Sequence, residues 1–74
     1  MRRAVIARDR GGAFPGCAVV AAWCECHHVR HWADGGETRI DNLVLLCGRH
    51  HRLVHHSQWQ VRIRDGNPEF HLLG

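Results

Sequence analysis

The pattern of apolar and polar positions divides the chain into short elements. Residues 2–10 contain few breakers and are followed by Gly11-Gly12, which predicts a short helix ending at the glycine pair. Phe14-Pro15-Gly16-Cys17 is a turn signal that presents Cys17. Ala21 to Trp32 carries Trp23, Val29 and Trp32, bulky residues suited to a strand. Asp34-Gly35-Gly36 predicts a loop, after which the chain returns through Ile40 to Leu43-Val44-Leu45-Leu46, the short apolar run of a buried strand. From Cys47 to about Ser57 there is no Pro, and no Gly after Gly48, so a helix is expected with Leu53 and Val54 turned to the core. Trp59, Val61 and Ile63 then alternate with Gln60, Arg62 and Arg64, a period of two. Asp65-Gly66-Asn67-Pro68 predicts a turn, and Glu69 to Leu73 a final strand. The order helix, knuckle, strand, loop, strand, helix, hairpin reads as one α+β domain over residues 1–74, without repeat, low-complexity segment or linker.

Composition adds two constraints. A chain of 74 residues buries only ~60% of its unfolded surface, so its core is thin, and folds this small commonly need a disulfide, a metal or a partner. Four Cys and eight His are available, and seven of the His lie between His27 and His56. No segment approaches the ~20 apolar residues of a membrane span, and the charged start with an apolar run of four does not read as a secretory signal. A cytoplasmic location without membrane contact is the expectation, and there Cys favours metal over disulfide. All ten basic side chains are Arg and the net charge is +3. The guanidinium suits phosphate, although Arg, Ala and Gly also rise together in GC-rich coding sequence. The charge is compatible with a nucleic-acid partner without proving one.

The histidines carry the chemistry. His51 and His55 are four apart on the predicted helix, so both imidazoles can reach one ion, and His27 from the first strand completes a set of three. Three protein ligands leave positions open for water or a phosphate oxygen. His50 is turned from His51 by about 100° around the helix and faces elsewhere. Cys47-x-x-His50, with Cys17 from the knuckle, therefore predicts a second, structural zinc site. Cys24 and Cys26, two apart on a strand with no knuckle around them, read as buried free thiols. His28 has no metal role, and an imidazole, whose unperturbed pKa is ~6.5, can take a proton from water. A bulge or a strand end is needed to turn both His27 and His28 inward. Asn42 can hydrogen-bond across the loop and fix the backbone that orients His28.

The segments Trp23-Cys-Glu-Cys-His-His-Val-Arg-His-Trp-Ala-Asp-Gly-Gly and Asp41-Asn-Leu-Val-Leu-Leu-Cys-Gly-Arg-His-His-Arg-Leu-Val-His resemble those of HNH endonuclease domains, the His-Me finger or ββα-metal class. The nearest likeness is to the domains at the C-terminal end of larger actinobacterial proteins, which carry a C-x-F-P-G-C knuckle, and it covers roughly residues 8 to 70. The resemblance implies a metal-dependent endonuclease acting on double-stranded DNA with weak sequence preference. His28 is then the general base, Asn42 the loop-fixing residue, and His27, His51 and His55 the ligands of one divalent ion. Arg30, Arg49 and Arg52 are the candidate phosphate clamps. Mg, Mn, Zn, Ni and Co all remain open for that ion.

One departure stands out. The first Cys of the family knuckle falls at position 12, which is Gly12 here. The structural zinc site is thus reduced to Cys17, Cys47 and His50, with a water, or Cys24 if the backbone bends, as the fourth ligand. The alternative reading is a catalytically inactive nucleic-acid-binding or zinc-binding module. A disulfide-stapled secreted domain is disfavoured.

Overall fold

The computed structural model describes residues 1–56 and 58–73. It is α+β, with elements α1 (Arg2–Asp9), β1 (Cys24–His28), β2 (Leu43–Cys47), α2 (Gly48–His56), β3 (Trp59–Arg64) and β4 (Asn67–Leu72). β1 and β2 form one antiparallel pair, β3 and β4 another.

β2 is the centre, because its whole length Leu43–Cys47 is buried. Its residues point alternately to two sides. Leu43, Leu45 and Cys47 pack with Val5 of α1 and Cys24 of β1, while Val44 and Leu46 pack with Val61 and, around it, Phe14, Val29, Val54, Ile63 and Phe70. Burial on both faces is why this strand reads as an unbroken apolar run rather than an alternating one. The β3–β4 hairpin covers one face only, and there the alternation holds: Val61 is buried and Arg62 and Arg64 are exposed.

A polar knot fastens α1 to β2. Arg8 Nε and Nη2 donate to the two carboxylate oxygens of Asp9 at 2.6 and 2.9 Å. Nη1 donates to Ile40 O at 2.7 Å, and Nη2 also reaches Leu43 O. Asp9, its side chain 1% exposed, in turn accepts the Leu45 N–H at 2.9 Å. None of this is visible in a sequence read for periodicity, because Arg8 and Asp9 look like the polar end of a surface helix.

Four boundaries differ from the sequence expectation. α1 ends at Asp9 and is capped by Arg10, which itself takes the left-handed conformation (φ 65°) and donates its N–H to Ile6 O, before the glycine pair is reached. β1 is only Cys24–His28, and 3₁₀ turns occupy Ala21–Trp23 and Trp32–Asp34. Trp23 therefore lies outside the strand and is exposed. α2 starts after Cys47, which closes β2, and is described to His56; Ser57 lies outside the described residues. The β3–β4 turn is only Asp65-Gly66, both at positive φ (52° and 80°), so Asn67 and Pro68 already pair with Arg64 and Ile63. A two-residue Asp-Gly turn of this kind matches the twist of the strands it joins. Among the described residues no helix is long and apolar enough to cross a membrane.

Candidate functional site

β1 ends at His27 and His28, paired with Val44 and Leu43. Cross-strand partners share a face, so His27 looks toward α2, which carries His51 in its first turn and His55 in its last. The ring centroids of His27 and His51 are 5.0 Å apart, and those of His51 and His55 6.1 Å. His28 stands at the strand end, where alternation no longer forces it away. His27, His28, His31, His51 and His55, with Cys26, line one recess of about 260 Å³. A larger recess of about 480 Å³ shares His27, His28, His31 and His55 and continues over Val29, Val54, Trp59 and Val61 to Gln60 and Arg62. Among the described residues neither is lined by a carboxylate side chain, so both suit an anionic ligand.

The loop between β1 and β2 is held by Asn42. Its Oδ1 accepts the Arg30 N–H at 2.8 Å, and its Nδ2 donates to Arg30 O at 3.1 Å and to Glu37 O at 2.8 Å. The Asn42 carbonyl also accepts the Val29 N–H at 2.8 Å. Gly36 is required at the crossing, since a Cβ there would meet Arg30 O at 1.8 Å. The loop so folded brings Thr38 back over the strand end, with its Oγ1 3.1 Å from His28 Nε2.

Burial, reinforced by His51, His55, His28 and His31 around it, pushes the pKa of His27 down to about 4. His27 is therefore neutral at physiological pH and its nitrogen lone pair is available to an ion without loss of a proton.

On the other side of α2, Cys17, Cys47 and His50 bring their ligand atoms within 4.8 Å of one another, and among the described residues this is the group that does so. Cys17 Sγ lies 3.8 Å from Cys47 Sγ, which lies 3.3 Å from His50 Nδ1. The knuckle is built by a bridge between Gly11 and Val20, the Gly12 N–H on Val19 O at 3.0 Å, and the Cys17 N–H on Phe14 O at 2.9 Å. Phe14 stacks on the His50 ring at 4.3 Å and fixes its plane. Two thiols and an imidazole at this spacing are a donor set that zinc fits. Burial pushes the neighbouring Cys24 thiol up, and Cys17 and Cys47 add to the shift.

The structure thus groups the residues singled out from sequence into two sets on two sides of α2. His27, His51 and His55 surround one recess at a wider spacing than the Cys17, Cys47 and His50 set, and His28 and Asn42 belong to the same end of the β1–β2 pair. Arg30, Arg49 and Arg52 are exposed. The sequence reading missed His31, which lines both recesses, and Thr38 against His28. The spacing His27-His28-x-x-His31 carried a signal for the first; a lone Thr in a loop carried none for the second.

A family model for HNH endonuclease matches residues 17–57. An uncharacterized protein of Mycobacterium tuberculosis (strain H37Rv) is 41% identical over 70 residues, which cover 93% of this chain and 15% of that protein. A second from the same strain is 41% identical over 56 residues, covering 76% of this chain and 12% of its own. One from Mycobacterium bovis is 43% identical over 56 residues, with coverages of 76% and 12%. The chain therefore spans about 15% or less of the length of these relatives. No solved structure matches it.

Proposed function

Because the chain belongs to the HNH endonuclease family, we propose that it hydrolyses phosphodiester bonds in double-stranded DNA with the histidine recess as its centre. The observation that supports this reading most is the grouping of His27, His28, His51 and His55 around one recess, beside a loop pinned by Asn42. His27, His51 and His55 are the residues that would hold a divalent ion, which when bound supplies charge to the scissile phosphate and to the leaving 3′ oxygen. His28 is the base. A neutral ring that donates Nε2–H to Thr38 Oγ1 presents an unprotonated Nδ1, and the proton of the attacking water goes there. Asn42 acts through the backbone, by holding Arg30 and Glu37 so that the strand end keeps its direction. Arg30, Arg49 and Arg52 are exposed and are the side chains assigned to flanking phosphates. Cys17, Cys47 and His50 take a structural zinc.

The test is nicking of supercoiled plasmid by the full chain across Mg, Mn, Zn, Ni and Co, with a chelated control and a His28→Ala variant. Nicking that needs an ion is expected. His28→Ala is expected to lose roughly 10²–10⁴-fold in rate while metal content and DNA affinity stay as they were. Unchanged nicking by folded His28→Ala removes that residue from the reaction. Bound metal with no nicking under any ion makes the chain a metal-binding module instead.

A further inference from the structure

Structural zinc sites are closed and four-coordinate, yet Cys17, Cys47 and His50 supply three ligands, and position 12, beside them, is a glycine. The geometry points to Cys24 as the fourth ligand, so that zinc is held by Cys17, Cys24, Cys47 and His50, with the last ligand coming from β1 and not from the knuckle. Three observations converge on it.

A Cβ built on Gly12 would lie 2.2 Å from Cys17 Sγ and 3.8 Å from Cys24 Sγ. The two sulfurs therefore flank the space where a side chain at position 12 would begin, and Cys17 already leans into it. Cys24 is also the register partner of Cys47 across the β1–β2 pair. Cross-strand partners have Cβ atoms about 4.5–5.5 Å apart on one face, within reach of a common ion at sulfur bond lengths. Finally, among the described residues the Cys24 thiol meets the carbonyls of Val20 at 3.4 Å and Val19 at 3.8 Å. Those are weak bonds, and rotation about one side-chain torsion releases them.

The surroundings disfavour the competing ligands. Cys24 and Cys47 are 2% and 4% exposed, packed with Val5, Leu43 and Leu45, so a water at the fourth position would sit in an apolar wall. The Asp9 carboxylate, its side chain 1% exposed, is committed to Arg8 and to the Leu45 N–H. Binding displaces the thiol protons to solvent and leaves thiolates on the ion. A four-ligand site of this composition ties the knuckle, β1, β2 and α2 together at one point. It would fix the strand that carries His27 and His28 against the helix that carries His51 and His55. Nothing in it depends on whether the histidine recess cleaves DNA.

Cobalt(II) in place of zinc counts the thiolates, because thiolate-to-cobalt charge transfer in the near ultraviolet grows with each sulfur bound. Cobalt on the histidines gives no such band. The full chain is expected to show a tetrahedral spectrum with three-thiolate intensity. Cys24→Ser should lose about a third of that band, and Cys26→Ser, two residues along the same strand, should lose none. Gly12→Cys combined with Cys24→Ser should recover the lost intensity, with Cys17 Sγ displaced to make room. Recovery in the double variant supports the assignment even if Cys24→Ser alone folds poorly. An unchanged band in Cys24→Ser overturns it, as does a wild-type band of two-thiolate intensity or no cobalt binding at all.

Discussion

Asn42 and Arg30 are joined as two strands would be: the side-chain amide of Asn42 accepts the Arg30 N–H at 2.8 Å and donates to the Arg30 carbonyl at 3.1 Å. One amide thus replaces a rung of β-ladder at the point where β1 has ended, and it reaches Glu37 O as well. A side chain can do this in a loop where no neighbouring strand is available to satisfy the backbone.

Asn42→Asp tests the positioning role. The carboxylate keeps an acceptor for the Arg30 N–H but loses the donor to Arg30 O and Glu37 O and places charge against both carbonyls. Nicking is expected to fall roughly 10- to 100-fold, the usual cost of removing a supporting hydrogen bond at a metal centre. Zinc content should stay unchanged, since Cys17, Cys47 and His50 lie elsewhere. Wild-type turnover in Asn42→Asp would show that the loop holds its shape without the two donated bonds.

Metal affinity at the histidine recess separates the faces of α2. His51→Ala and His55→Ala are each expected to weaken binding of the catalytic ion at least roughly tenfold. His56→Ala should leave it unchanged, because His56 does not line the recess. Calorimetric titration on protein already loaded with structural zinc reads the difference, and equal effects at His55 and His56 would refute the ligand set.

The depressed pKa of His27 makes stability depend on pH in the metal-free state. The unfolded ring binds a proton as pH falls below 6.5, whereas the folded ring stays neutral until about 4. Between those values the unfolded state holds more protons. Stability from this group is therefore undiminished above pH 6.5, falls as pH drops through the window, and levels off below about 4. Denaturant midpoints of chelated protein from pH 7 to 4 should show that slope, and His27→Gln should flatten it. Parallel curves for the two proteins would place the His27 pKa near its ordinary value.

Asp9→Ala is expected to destabilise the fold by on the order of 3 kcal/mol, because it strands the Arg8 guanidinium and leaves the Leu45 N–H without its acceptor. Thermal unfolding measures it. A shift no larger than that of the exposed Asp65→Ala would mean that water replaces the carboxylate at no cost.

The sequence by itself was enough to determine the element order, the α+β class, and the sorting of His50 from His51. Those follow from local rules: the double-sided burial of β2 writes an apolar run, the hairpin writes a period of two, and 100° per residue turns neighbouring helix positions to different faces. The Cys17, Cys47 and His50 convergence was also readable, since the knuckle and the helix start each announce themselves. What the tertiary structure alone decided are relations between residues distant in sequence. The Arg8–Asp9 knot under β2, Thr38 over His28, His31 in the recess, and Cys24 beside the glycine at position 12 depend on which elements meet and in what register. Periodicity cannot encode them, because a side chain that completes a site from another element carries no local pattern of its own. The short β1 is the clearest instance. Its bulky residues suggested a strand running to Trp32, yet pairing with a five-residue β2 left it only Cys24–His28, and that early end lets His27 and His28 share one recess.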